Sequence, residues 1–299
     1  MWKRKISYLF IFGFAVVVLG CNQKSTSNTD EQSIVSGKTK MLADESLFPI
    51  VDDEYQIFAN NYKQSDIEII YKPQSELLPL FLNDSIDVAI MARELTKSEA
   101  KYYEDRKIKI RTTKFAIDGI ALITGQQNPD STISVEELKK ALLGKSKNAI
   151  NFVFDNPKSS TVEYLMSLAG IKEFPKNIYA LTSNKEVISY IKNHPQAIGI
   201  VSVAWMHRPT PDMKKDVESL KLMSVSAANS QDFFKPSQSN LKTGKYPLTR
   251  GLYLINCQGM AGLGTGFAVF LEGDVGQRII LKSGLAPDSL PSRQIKFRN

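Results

Sequence analysis

The stretch "AINFVFDNPKSSTVEYLMSLAG", residues 149–170, decides how this chain is read. An apolar run with strand character enters an Asn-Pro turn, passes three small hydroxyl residues and continues as a helix. Val162, Leu165, Met166 and Ala169 recur at helical spacing, and Gly170 is a natural stop. Ser159, Ser160 and Thr161 thus stand at a helix start, where backbone N–H groups lack intrahelical partners. Ser160 and Glu163 have the spacing of a capping box. The same N–H groups, at the positive end of the helix dipole, also suit an anion.

Strand and helix signals alternate on both sides of this stretch. "ESLFPIVDDEYQIFANNY" predicts a helix with Leu47, Ile50, Val51, Tyr55 and Phe58 on one face. Pro49 has no N–H and belongs in the first turn, which puts the helix start near Glu45–Ser46. "DIEIIY" reads as a strand and "SELLPLFLND" as a helix whose Pro79 pushes the start back toward Ser75. "IDVAIMA" is a buried strand ending at Arg93, and Thr96 and Glu99 then have capping-box spacing. "FAIDGIALIT", "AIGIVSVAW" and "YPLTRGLYLIN" read as strands, and "SVEELKKALLG" and "SNKEVISYIKNH" as helices. Residues 206–245 read as polar and irregular, residues 261–284 as helical with glycine interruptions, and "RQIKFR" as a terminal strand. Strands separated by helices imply an α/β layered fold.

The first twenty residues differ from the rest. "MWKRK" is a basic n-region, and "ISYLFIFGFAVVVLG" is apolar but short for a membrane span. "VVLGC" resembles the bacterial lipobox, which implies a signal peptide over 1–20, lipidation at Cys21 and a Ser/Thr-rich tether over 21–37. The expected location is the cell envelope, as a membrane-anchored lipoprotein facing the periplasm or the outside. With Cys21 lipidated, Cys257 is left alone in the apolar run "LYLINC" and reads as a packed strand residue. The formal charge of +7 falls to +4 once Lys3, Arg4 and Lys5 leave, and the remaining basic residues are scattered. That excludes nucleic acid as the expected partner and leaves a mild field for collecting small anions.

Catalytic templates fail. "LLGKSKN" has Lys139 where a phosphate-binding loop needs its first glycine, and no G-x-S-x-G elbow occurs. "GLGTG" at 262–266 lacks a following βαβ unit. His194 and His207 have no ligand spacing to each other or to Cys257, so neither a metal nor a cofactor is expected, and the chain does not read as an enzyme.

One arrangement does recur: an extended segment, a small polar residue, then a helix. It occurs in "DESLFP" at 44–49, "KPQSELL" at 72–78 and "NPKSSTVEYL" at 156–165. Several such starts aimed at one point would hold an oxyanion with little net charge. Arg93, at the end of a buried strand, offers a guanidinium to the same ligand or an ion pair to Glu94 or Glu99.

In this order, "ADESLFPIVDDEYQIFANNY", "NDSIDVAIMARELTKSEA", "FAIDGIALITGQQNPD", "FDNPKSSTVEYL", "IGIVSVAW", "YPLTRGLYLIN" and "GDVGQRIILKSGLAP" resemble the phosphate-binding proteins of ABC-type importers, over about residues 38–290. The likeness is to the lipoprotein branch whose first loop reads Asp-Glu-Ser. It implies a two-lobed type II periplasmic-binding-protein fold with crossover hinges near "FAIDGIAL" and "YPLTRGLY". Residues 38–116 and 248–299 would form lobe 1, and 117–247 lobe 2.

Residue by residue, the resemblance places ligand contacts at Ser46 and Leu47, at Ser75 with Gln74 beside it, and at Ser159, Ser160 and Thr161. Arg93 would add charge from the other lobe. Two family positions differ: Ala92 stands where an aspartate accepts the proton of hydrogen phosphate, and Phe154 and Asp155 stand where an arginine precedes the third loop. Ser160 also replaces a glycine. Gln74, Glu76 or Asp118 would then replace the acceptor. The implied function is capture of inorganic phosphate, without catalysis, by a monomeric protein that delivers it to ABC permease subunits. The alternatives are another tetrahedral oxyanion such as sulfate, or a signalling or scaffold lipoprotein on the same fold.

Overall fold

In a computed structural model, residues 33–146, 151–173 and 178–289 are described. The signal-like segment, Cys21 and the expected terminal strand at 293–298 lie outside them. The described residues belong to a unit spanning Gln32–Asn299.

The chain enters through β1 (Gly37–Asp44), a strand that sequence patterning did not reveal. A 3₁₀ turn (Glu45–Leu47) leads into α1 (Phe48–Asn61), with Pro49 in its first turn as expected. Then come β2 (Ser65–Lys72), α2 (Gln74–Leu82), β3 (Val88–Met91) and α3 (Lys97–Asp105). Pro79 lies inside α2 rather than in its first turn, so the helix forgoes one intrahelical bond there. The capping box of Thr96 and Glu99 forms at the start of α3.

The long strand β4 (Arg111–Gly125) is followed by β5 (Thr132–Ser134), α4 (Val135–Leu142), β6 (Phe152–Phe154) and α5 (Ser160–Ala169). Gly170 ends α5 at φ 68°, a left-handed conformation that glycine adopts without strain. β7 (Ile178–Ala180), α6 (Asn184–Asn193) and β8 (Ile198–Ser202) continue the alternation. "VAW", expected to extend β8, instead turns into the short helix α7 (Val203–His207), because the Ser202 hydroxyl accepts from Ala204 N–H and caps it.

The segment 206–245 is not irregular throughout. It holds α8 (Lys214–Glu218), β9 (Leu220–Leu222), β10 (Ser224–Ser226), β11 (Phe233–Phe234) and α9 (Gln238–Lys242). β12 (Thr249–Asn256), α10 (Leu263–Glu272), α11 (Asp274–Lys282) and β13 (Ala286–Pro287) complete the described chain. Buried Cys257 lies just past β12, its N–H donating to Asp87 O. The glycines of "GLGTG" serve packing: a Cβ on Gly266 would lie 1.6 Å from Ile34 O.

The main sheet runs β2-β1-β3-β12-β4-β8-β6-β7. β1 pairs in parallel with β2 and β3, and β6 in parallel with β7 and β8. Between these parallel sets, β12 and β4 run antiparallel to each other. Residues 111–119 of β4 pair with β12, Ile120–Ile123 pair with β8, and the end of the strand pairs with β9. One strand therefore serves both halves of the sheet.

Alternation along β1 shows how the first half is layered. Met41 and Ala43 face a core with Phe58, whose ring meets Phe267 and Phe270 edge-on at 5.2 and 5.4 Å. Leu42 faces the other way, toward Leu77, Phe81 and Tyr103 of α2 and α3. Burying both faces is the arrangement that parallel strands require.

Candidate functional site

The three helix starts have different fates. At the first, Asp44 Oδ1 accepts from Ser46 N–H at 3.0 Å, so that N–H is already occupied. Leu47 is fully buried and packs in the core. At the second, Pro73 provides no side-chain cap, and Ser75 is exposed with its N–H donating to Lys158 O at 3.1 Å. Ser75 does not join Ser46 and Ser160; its buried neighbour Gln74 points to a different contact, described below.

At the third, the cap is Ser159 and not Ser160. The Ser159 hydroxyl accepts from Val162 N–H at 3.2 Å and donates to Asp155 Oδ1 at 2.6 Å. Glu163 does not close the expected capping box; its carboxylate accepts from Arg93 Nε at 2.9 Å and from Gln74 Nε2. Ser160 is thereby free for a longer-range bond, and its hydroxyl lies 3.0 Å from that of Ser46. Thr161 is buried, and its Oγ1 has no hydrogen-bond partner among the described residues.

The residue joining Ser46 and Ser160 was not among the expected contacts. Arg250, the second residue of β12, donates from Nη1 to Ser160 Oγ at 2.8 Å and from Nη2 to Ser46 Oγ at 3.1 Å. Its Nε donates to Asp118 Oδ2 at 2.9 Å, while Ser202 Oγ donates to Asp118 Oδ1 at 2.9 Å. Trp205 Nε1 fixes the first loop by donating to Ser46 O at 3.0 Å. The arginine is 6% exposed and Asp118 is fully buried. The signal was present in the sequence: "YPLTRGLYLIN" and "FAIDGIALIT" are apolar strands each broken by one charge, of opposite sign.

Arg93 takes the ion-pair role. Its Nη1 and Nη2 donate to the two Glu99 oxygens at 2.9 and 3.1 Å, and its Nε is held by Glu163. A cavity of about 320 Å³ opens beside this network. Ser160 and Arg250 form one part of its wall; Gln74, Glu163 and Arg93 form another.

Burial pushes the Asp118 carboxyl up, and the Arg250 guanidinium and the Ser202 hydroxyl oppose that rise. Burial also raises Asp155 to about 6, against the Ser159 hydroxyl that lowers it. Among the described residues no His, Cys, Asp and Glu cluster could hold a metal ion, and no helix is long and apolar enough to cross a membrane. The arrangement offers hydroxyl and guanidinium donors converging on a cavity, a chemistry of oxyanion binding.

Known proteins resemble this chain in sequence and fold. A family model described as a PBP superfamily domain matches residues 27–274. The phosphate-binding protein PstS of Borreliella burgdorferi is 24% identical over 280 residues, covering 86% of this chain and 91% of the relative. Among solved structures, a Clostridium perfringens chain assigned to phosphate ABC transport, with bound phosphate, superposes with a TM-score of 0.70 at 19% identity, covering 85% of this chain and all of that one. A Corynebacterium glutamicum OxyR mutant shares the fold at a TM-score of 0.56 and 14% identity, covering 84% of this chain and 68% of that one. The fold is thus the mixed α/β, type II periplasmic-binding-protein fold. The PstS relatives are named for binding, not for catalysis.

Proposed function

Because the chain belongs to the PBP superfamily, we propose that it is the solute-binding component of an ABC-type importer and captures inorganic phosphate beside Ser46, Ser160 and Arg250. One observation carries the reading: hydroxyls from the first and third loops and a buried guanidinium meet within hydrogen-bond distance, next to a cavity. Three of the five guanidinium N–H groups are engaged, which leaves donors for a ligand. The PstS relatives and the phosphate-bound Clostridium structure support phosphate as the anion.

On this reading residues 38–116 with 248–299 make one lobe and 117–247 the other. The change of partner in β4 between Gly119 and Ile120 supports a hinge at that crossover. The anion closes the lobes because only the closed form contacts it from both sides. The lipobox-like "VVLGC" supports a lipid anchor at Cys21, which would hold a monomer on the outer side of a membrane beside its permease. Isothermal titration of the purified chain with phosphate and sulfate tests the assignment. Phosphate binding is expected, and failure to bind either anion at millimolar concentration overturns it.

A further inference from the structure

The cavity is larger than a bare oxyanion needs. At about 30 Å³ for each water-sized group, its volume of about 320 Å³ accommodates roughly ten, and a tetrahedral oxyanion fills about half. The remaining wall is Ala92, Tyr164, Ser167 and Leu168, of which the Ala92 and Leu168 side chains offer a phosphate no hydrogen-bond donor.

The charges around the cavity are asymmetric. Arg250 and Asp118 cancel on one side. On the other, Arg93 stands between two carboxylates, Glu99 and Glu163, which leaves one negative charge in excess. Gln74 adds to this. Its side chain is 2% exposed and lines the cavity. Its Nε2 must be the atom donating to the Glu163 carboxylate, because an amide oxygen cannot donate. Oε1 is then the free end, buried and without a hydrogen-bond partner among the described residues. A buried acceptor left unpaired is costly, and a ligand N–H would satisfy it. Ser160 and Glu163 share α5 at a separation of three residues, so the two parts of the wall lie about one helical turn, roughly 5 Å, apart.

We propose that the cavity takes an amine-bearing organic phosphorus oxyanion, an aminoalkyl phosphonate or phosphomonoester with a short carbon spacer. The oxyanion faces Ser160 and Arg250, the ammonium faces Glu163 and Gln74 Oε1, and the spacer lies against Ala92, Tyr164 and Leu168. This rests on the oxyanion reading above and puts an organic phosphorus oxyanion in place of inorganic phosphate as the preferred ligand.

Isothermal titration of the purified full chain with inorganic phosphate, ethylphosphonate, 2-aminoethylphosphonate and O-phosphoethanolamine tests the proposal. The two amines are expected to bind at least tenfold more tightly than inorganic phosphate. Glu163→Gln is expected to bring the affinity ratio of 2-aminoethylphosphonate to ethylphosphonate close to one. Ala92→Leu, which narrows the cavity, is expected to weaken both amines more than inorganic phosphate. If inorganic phosphate binds more tightly than either amine, or if Glu163→Gln leaves the ratio unchanged, the proposal is overturned and the oxyanion reading stands. If none of the four binds, both fall.

Discussion

Arg250 and Asp118 are direct partners in the β12–β4 register, and the arginine Nε donates to the aspartate Oδ2 at 2.9 Å. The pair is buried, and each member makes further contacts. Asp118 accepts from Ser202, and Arg250 reaches both Ser46 and Ser160. A buried pair of this kind gains little net stability over an apolar pair, but losing one partner strands the other charge.

Arg250→Ala is therefore expected to lower the stability by about 3–5 kcal/mol, read from chemical denaturation, and to abolish anion binding. Replacing both Arg250 and Asp118 by leucine should recover most of the stability and none of the binding. A single variant that unfolds at the wild-type midpoint would contradict the structural role given to the pair.

Arg93 provides the contrast. Its three side-chain nitrogens are engaged by Glu99, Glu163 and the Glu94 carbonyl. Arg93→Ala is expected to weaken phosphate binding less than about threefold, because partly exposed ion pairs contribute at most about 1 kcal/mol. A loss comparable to that of Arg250→Ala, measured by titration calorimetry, would return Arg93 to the binding site.

Ser160→Ala removes the hydroxyl shared by Ser46 and Arg250. Loss of a hydrogen bond to a charged group corresponds to about 1.5–3 kcal/mol, so affinity for phosphate should fall by at least tenfold. Ser159→Ala should instead cost about 1 kcal/mol of stability as a lost helix cap. Titration and thermal melts of the two variants separate the neighbouring roles.

Glu54 carries a pH dependence. It is fully buried on α1, neither carboxyl oxygen has a hydrogen-bond partner among the described residues, and burial raises it from 4.5 to about 9. Between those values the folded chain holds a proton that the unfolded chain releases, so this group makes stability fall as pH rises from 4.5 toward 9. Keeping the acid protonated at pH 7 costs about 3 kcal/mol. Glu54→Gln should therefore stabilise the protein by up to about 3 kcal/mol at pH 7, with the gain vanishing near pH 4. Denaturation curves at the two pH values check the sign.

The α/β alternation was legible because helices such as α1 and α4 carry apolar residues at helical spacing between recognisable caps. β1 was not, because Lys38 and Lys40 face solvent and pair with Asp66 and Glu68 of β2, which hides the strand pattern. At the third loop, three adjacent hydroxyls allow three capping frames, and only the bond from Ser159 to Asp155 selects one. Arg250 and Asp118 were visible as single charges in apolar strands, but their meeting depends on a pairing between residues 132 positions apart. Local pattern does not carry that register.

Because Arg250 pairs with Asp118, just ahead of the Gly119–Ile120 step where β4 changes partner, Arg250 stands beside the proposed pivot. The guanidinium N–H groups left free there stay available to an incoming anion at every degree of opening, so capture would not have to wait for closure. The hydroxyls of Ser46 and Ser160 would then arrive second, as a latch, and the order of events would be docking first and locking afterwards.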